Sequence, residues 1–386
     1  MKALGRMISI LLWTNSFKRV FYTSQSAALG TCGVLAMTMA EGSSKTFSSP
    51  YPPIQTPPAG SLYEENAVTG MMNYVHPSVD VAHVRRAATG DDSTVKARWQ
   101  TEPVLVHNAR GMPCSLEREG FELMSSPLVT TDLRDMDFLD SAQVIQQYYP
   151  HCEALLRQRL GPSVQVKAFD HNVRMAAAQK PPLKNAGDST VQVPLGLVHG
   201  DYTATSAPRR LAQLAQPPQI NDAHYRPAAS QQAALLDDAT VVQQALDGRR
   251  RYAFINVWRS IDKTHPVTSY PLAVCNATTV RPSDLRTLQI HYAQRVGENY
   301  LVAPPPPPPS NHQVTLHQWL YFPDMIHDEA LLILQWDSMP PLQETPFCVH
   351  SAFGLPAPTN GILSNPRPRQ SIEVRCVCIW DTQEHN

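Results

Sequence analysis

VQVPLGLVHGDYTATSAPRR, residues 191–210, is the most informative stretch of this chain. Run as a β-strand it sets alternate side chains on one face, so Val193, Leu195, Leu197, His199 and Asp201 all point the same way. An apolar face that ends in an imidazole and a carboxylate puts two metal-ligand types at the rim of a buried pocket. One His and one Asp make two thirds of the two-His-one-carboxylate facial triad, which leaves positions open on non-haem Fe(II) for a cosubstrate and O2. Gly200 between them is expected to leave room for a ligand on the reverse side. A complete site then needs a third ligand and a cosubstrate anchor from elsewhere in the chain.

H-x-[DE] alone is a weak signal. With 14 His and 33 acids in 386 residues about one match arises by chance, and there are three: His151/Glu153, His199/Asp201 and His327/Glu329. The first falls in a helical pattern, where residues two apart point to different faces. The third follows Pro323 and precedes a strand, and is expected on an exposed corner. Only His199 and Asp201 share a β-pattern with an apolar face.

The bulk properties fit a buried small-molecule site. A chain of this length can bury a full core. The net charge of -1 and the lack of a Lys/Arg-rich run argue against nucleic acid as a partner, since phosphate binding needs a basic patch. Proline, at 35 residues, is nearly twice the usual share and implies many loops and few long helices. Seven cysteines with no C-x-x-C fit a reducing compartment, with Cys376 and Cys378 as buried small apolar residues.

The first forty residues carry Lys2, Arg6, Lys18 and Arg19 and no acid before Glu41, the composition of a mitochondrial transit peptide; a start codon called too far upstream of Met37 or Met39 accounts for it equally well. The apolar run around Ile8–Trp13 is too short to span a bilayer. Residues 1–60, ending in a Ser/Pro-rich linker, are therefore read as a disordered or targeting-like extension, and 61–386 as a single domain. A cytoplasmic location is expected, with mitochondrial import as the alternative.

Within the domain, residues 104–123 read as an edge hairpin. Residues 141–160 have a helical period, capped by Asp140 or Ser141, ended by Gly161 and interrupted by Pro150. Strands are expected at 164–171, 251–261, 270–280, 312–322, 329–336, 346–353 and 369–380, and a short helix at 282–293. Together with the opening stretch that makes about eight strands, enough for a mainly β, double-sheet jelly roll with flanking helices. The insert at 204–248, helical around 231–246, is a candidate lid. The run Pro304–Pro309 reads as a stiff extended loop, or alternatively as a ligand for SH3 or WW modules.

His317 and His350 are the candidates for a third ligand. Nineteen residues after His350 comes Arg369-Gln-Ser371, and in a strand Arg369, Ser371, Glu373 and Arg375 share one face. Turned inward, an Arg fork beside a hydroxyl suits a terminal carboxylate; turned outward, the same residues are a solvent face.

H-x-D, a distant His and R-x-S in that order are shared with Fe(II)/2-oxoglutarate-dependent oxygenases. The chain resembles, more narrowly, their fungal and bacterial hydroxylase/desaturase family, which includes the gibberellin desaturase and the aspergillic-acid pathway hydroxylase and is related to the large chain of cephalosporin 7α-methoxylase. The resembling blocks are NARG (108–111), FDHNVR (169–174), VHGDYT (198–203), RRLAQL (209–214), AFINVWRSI (253–261), PLAVCNATTV (271–280), YFPDM (321–325), H-x-AF (350–353) and RQSIEVR (369–375), covering roughly residues 100–380. Gln335 stands where a basic residue is expected, the loop after Phe353 lacks an expected acid, and the first ninety-odd residues have no counterpart.

The resemblance implies a double-stranded β-helix (jelly-roll) fold and an oxidoreductase that hydroxylates or desaturates a small natural product with Fe(II), 2-oxoglutarate and O2. It implies His199, Asp201 and His350 as the metal ligands and Arg369 with Ser371 on the distal carboxylate of 2-oxoglutarate. Asn256 is expected either at the chelating end of the cosubstrate or as a satisfied core group. Arg259 and Arg375 are weaker candidates for substrate or cosubstrate contact, with structural ion pairs as the main expected role of each. A small-molecule substrate is implied, with neither nucleic acid nor membrane as a partner. The alternatives are a metal-binding but non-catalytic jelly-roll protein and a cupin-type dioxygenase that needs no cosubstrate.

Overall fold

The computed structural model describes residues 51–381, apart from 56–62, 65, 86–92, 129–130, 177–190, 220–221, 225–231, 293–294, 307–316, 340–344 and 357–366. One compact unit spans Phe47–Asn386, and within it the Asn73 side chain donates to Pro53 O at 3.1 Å. Met1–Thr46 with its basic start, residues 307–309 of the proline run and most of the loop after Phe353 lie outside the described residues.

In chain order the strands are β1 (Tyr63–Glu64), β2 (Ala67–Val75), β3 (Val81–Arg85), β4 (Ser93–Val95), β5 (Trp99–Asn108), β6 (Phe121–Ser125), β7 (Val164–Met175) and β8 (His199–Gly200). They continue with β9 (Tyr252–Ser260), β10 (Leu272–Cys275), β11 (Leu285–His291), β12 (Val296–Val302), β13 (Trp319–Tyr321), β14 (Glu329–Asp337), β15 (His350–Ala352) and β16 (Gln370–Trp380). An 11-stranded sheet has the order β1-β2-β5-β13-β10-β15-β8-β12-β11-β3-β4, and a 5-stranded sheet the order β6-β14-β9-β16-β7. Trp258, Leu331 and Ile333 of the smaller sheet meet Leu272, Val274 and Leu320 of the larger in one core cluster, the inside of the expected jelly roll.

β9 is central in its sheet and buried along its whole length, which is why YAFINVWRS reads as an unbroken apolar run around a few polar positions. On the far face of the sheet, Ile372, Val374, Cys376 and Cys378 pack with Tyr149, Cys152, Leu155 and Leu156 of the helix Tyr149–Leu160. Asp140 caps the helical segment, and its carboxylate accepts from the backbone N–H groups of Ala142 and Gln143. Pro150 has no N–H to offer and would crowd the carbonyl four residues back. The chain answers with a π-turn at Val144–Tyr148, in which Tyr149 N–H reaches Val144 O, and the helix runs on. Gly161, at φ 100°, ends it in a conformation that disfavours a side chain.

Two sequence expectations give way here. Residues 104–123 are not a hairpin, because β5 belongs to the larger sheet and β6 to the edge of the smaller one. Residues 282–293 form one 3₁₀ turn, Pro282–Asp284, and then strand β11, whose partners β12 and β3 supply long-range pairing that local pattern does not encode.

Candidate metal and carboxylate site

The 191–201 stretch is not one long strand. Gln192 forms an isolated bridge with Arg174 on β7, after which the chain crosses to the larger sheet, where Val198 N–H meets Asn73 O at 3.0 Å. Only His199 and Gly200 pair as a strand. Pro194 cannot donate to a ladder, Val193 is exposed and Leu197 is buried, so the five side chains do not share one face. The two that matter still converge, with His199 Nε2 3.7 Å from Asp201 Oδ1. Gly200 does not open space for a ligand behind the strand. A Cβ there would stand 2.7 Å from the Phe347 ring, so the glycine serves close packing.

β15 brings His350 directly opposite His199 across the ladder, with ring centroids 4.3 Å apart. One ligand atom from each of His199, Asp201 and His350 can be chosen so that all three lie within 4.8 Å of one another. The Nδ1 atoms of His199 and His350 face the carbonyls of Leu197 (2.7 Å) and Cys348 (3.4 Å). A carbonyl only accepts, so Nδ1 carries the proton and each neutral ring presents the Nε2 lone pair. Burial, with His350 beside it, pushes the His199 pKa down to about 4, and burial lowers that of His350. Burial works against charge on Asp201, but Arg375, the two imidazoles and the Asn256 amide outweigh it and hold its pKa well below the carboxylate range. At neutral pH the trio is two neutral imidazoles and one carboxylate, the protonation states in which these side chains ligate metal.

Asp201 is fixed from three sides. Its Oδ2 accepts from Asn256 Nδ2 at 3.0 Å and from Arg375 Nε at 3.3 Å, and its backbone N–H donates to Gln335 Oε1 at 3.3 Å. Arg375 also pairs with Asp170 at 2.9 Å and Glu373 at 3.1 Å.

The polar face of β16 points inward. Arg369 is 3% exposed and Ser371 1%, and both line the narrow cavity that holds His199, Asp201 and His350. Arg369 Nη1 donates to Tyr270 O at 2.5 Å and its guanidinium lies 5.6 Å from the Trp258 ring centre, but among the described residues its Nε and the Ser371 hydroxyl have no partner. Burial, with Arg174 nearby and Glu373 opposing, depresses the Arg369 pKa to about 9. A guanidinium stays protonated in proteins, so this marks an unmet demand for an anion.

Five of the six residues singled out from sequence, His199, Asp201, His350, Arg369 and Ser371, therefore line one cavity, and Asn256 stands behind Asp201. His317 is elsewhere, held by Asp284 at 3.2 Å and facing the Tyr74 hydroxyl at 3.3 Å. His327 is buried rather than on an exposed corner, its Nδ1 3.1 Å from Ser260 O. Arg259 has no carboxylate partner among the described residues; it is fully buried and satisfied by Tyr148 Oη, Ser126 O and Oγ, and His327 O at 2.6–3.0 Å.

The described residues of the 204–248 insert do not line the cavity. Its helices Ser206–Leu214 and Ala239–Leu246 pack on Phe169, Tyr252, Phe254, Val377 and Ile379. Sequence reasoning misses Arg174, which lines the cavity from β7. Its alternation with Asp170 and Asn172 is visible in the sequence, but the register that sets them against Arg375, Glu373 and Ser371 is not.

Two facing sheets around a buried two-His-one-carboxylate cluster define a jelly-roll protein with the donor set of a non-haem metal oxygenase. The chain belongs to the family described as oxidoreductase/YMDC permease-like domain, whose model matches residues 72–229 and 221–379. Among the described residues no helix is long and apolar enough to cross a membrane. An uncharacterized protein in the dcmA 3′ region of Methylophilus leisingeri is 33% identical over 199 residues, covering 50% of this chain and 89% of that protein. The hydroxylase/desaturase efuI of Hormonema carpetanum is 25% identical over 327 residues, 82% of this chain and 96% of its own. Among solved structures, the iron and alpha-ketoglutarate-dependent endoperoxidase NvfI superposes with a TM-score of 0.61 at 20% identity, covering 83% of this chain and all (100%) of that one, which establishes the shared fold. The hydroxylase/desaturase resemblance and the jelly-roll expectation both agree with these comparisons.

Proposed function

We propose that this protein is an Fe(II)/2-oxoglutarate-dependent oxidoreductase that hydroxylates or desaturates a small organic molecule. One observation carries the reading: Arg369 and Ser371, each with an unpartnered buried polar atom, line the same cavity as His199, Asp201 and His350. A site built for a metal alone has no use for an unsatisfied guanidinium and hydroxyl, whose burial costs stability unless an anion completes them. That weighs against both a non-catalytic metal protein and a dioxygenase without a cosubstrate.

His199 and His350 would hold Fe(II) through Nε2 and Asp201 through its carboxylate. Asn256 and Arg375 orient that carboxylate. Arg369 and Ser371 take the distal carboxylate of 2-oxoglutarate by charge-assisted hydrogen bonds. When bound, Fe(II) with 2-oxoglutarate and O2 supplies the oxidant, and succinate and CO2 are released. The protein's own part is to fix ligand geometry in a narrow cavity. The substrate is a small natural product of secondary metabolism, converted in the cytoplasm.

Anaerobic addition of Fe(II) and 2-oxoglutarate to the purified protein should produce the weak visible charge-transfer band of the chelate, and admitting O2 should yield succinate. Fe(II) binding without the band or succinate would favour the metal-only alternative. Oxidation of a substrate without succinate would favour the cosubstrate-independent one.

A further inference from the structure

Three arginines and two carboxylates line the cavity. Both acids are engaged by the same arginine, since Arg375 lies 3.3 Å from Asp201 and 3.1 Å from Glu373. Arg369 and Arg174 are left without a carboxylate partner among the described residues. Arg174 Nη1 donates to the neutral Val193 O at 2.9 Å, a contact made by the irregular run that leads into the metal-ligand segment. Arg174 also stands directly opposite Ser371 in the β7–β16 ladder. Opposed residues of an antiparallel pair share a face, with Cβ atoms about 5 Å apart. The Ser371 hydroxyl, unpartnered among the described residues, is thus flanked by Arg174 across the ladder and by Arg369, two residues earlier and just before β16 begins. Arg369 is buried and Arg174 half-buried, and two like charges lining one cavity repel each other less when an anion is shared between them.

We propose that Arg174 is a second carboxylate-binding guanidinium, closing with Arg369 and Ser371 around the distal carboxylate of 2-oxoglutarate. This rests on the functional reading above. It adds that the cosubstrate end of the site is a two-arginine clamp, with Arg174 from the edge strand β7 and Arg369 from the residue that leads into its neighbour β16. The run 191–193 takes part by aiming Arg174 through Val193 O. A clamp of this kind selects for a 2-oxo acid with a distal carboxylate more strongly than a single arginine can, because an acid lacking that group leaves two cations facing each other.

The test is anaerobic titration of the full-length, Fe(II)-loaded protein with 2-oxoglutarate and with 2-oxopentanoate, which has the same chelating end and chain length but no distal carboxylate. The charge-transfer band and quenching of tryptophan fluorescence give Kd, with circular dichroism and Tm as folding controls. R174Q should raise the Kd for 2-oxoglutarate by about 10–100-fold while moving that for 2-oxopentanoate by less than about twofold. R174K, which keeps the charge and loses the fork, should fall between wild type and R174Q and stands in should R174Q fail to fold. Unchanged 2-oxoglutarate binding in these variants, or equal weakening of both acids, would overturn the clamp while leaving the functional reading intact. Failure of the wild-type protein to bind either acid would instead overturn that reading, and the clamp with it.

Discussion

His350 faces His199 across a two-strand ladder, their ring centroids 4.3 Å apart, although 150 residues separate them in the chain. Each ring is turned by a hydrogen bond from Nδ1 to a carbonyl two residues back in the chain, just before its strand begins. Both Nε2 lone pairs are thereby presented, next to a carboxylate that Asn256 and Arg375 hold in place.

His199→Ala and His350→Ala should each abolish Fe(II) binding and 2-oxoglutarate turnover with the fold intact. Loss of a group that merely orients a ligand costs about 10–100-fold in metal affinity, so loss of a ligand should exceed that. Iron content after desalting and succinate release read the outcome. Full turnover by either variant would remove that residue from the metal site.

Arg369→Ala should raise the 2-oxoglutarate requirement far more than it affects iron binding. Hydrogen bonds to a charged group contribute about 1.5–3 kcal/mol, or about 10–150-fold in affinity. Parallel titrations of the two ligands separate the effects. An unchanged requirement would move the anchor to another arginine of the cavity, Arg174 or Arg375.

Gly200→Ala should destabilise the protein by about 1–3 kcal/mol, because the added methyl meets the Phe347 ring at 2.7 Å. Phe347→Leu in the same chain should recover part of the loss, and thermal unfolding of the single and double variants measures it. A neutral Gly200→Ala would mean that the ring moves aside without cost.

Stability should fall as pH drops from about 6.5 towards 4, partly through His151. Burial, reinforced by the nearby Arg259 charge, lowers its pKa to about 4 in the folded protein, against 6.5 ordinarily. Between those values the unfolded chain binds the proton and the native one does not, so acid favours unfolding; below about 4 both are protonated and this contribution saturates. Ser126 Oγ, 3.1 Å from His151 Nε2, also accepts from Arg259 and so directs its own proton at the ring. His151→Gln should flatten the dependence of Tm on pH over that window, and an unaltered slope would assign it to other groups.

Much of the site is legible in the residues alone. HGD, a late His and R-x-S supply the candidate metal ligands and the candidate carboxylate anchor, because metal and anion binding restrict residue types severely. The inward turn of Arg369 and Ser371 is not legible in the same way, since alternation shows that four residues share a face but not which side of the sheet is buried. Period fails where pairing partners lie far away: 282–293 is mostly strand, and 104–123 divides between two sheets.

The sequence by itself determined which side chains are candidates, imidazole, carboxylate and guanidinium in that order, and the blocks that carry the family resemblance. Only the tertiary structure decided that Arg174 stands beside Ser371 and that Asn256 and Arg375 hold Asp201. It also closed the space behind Gly200 with Phe347 and left the described residues of the 204–248 insert away from the cavity. The physical reason is that register and sheet facing come from long-range pairing and packing, whereas residue type and local period act within a few positions.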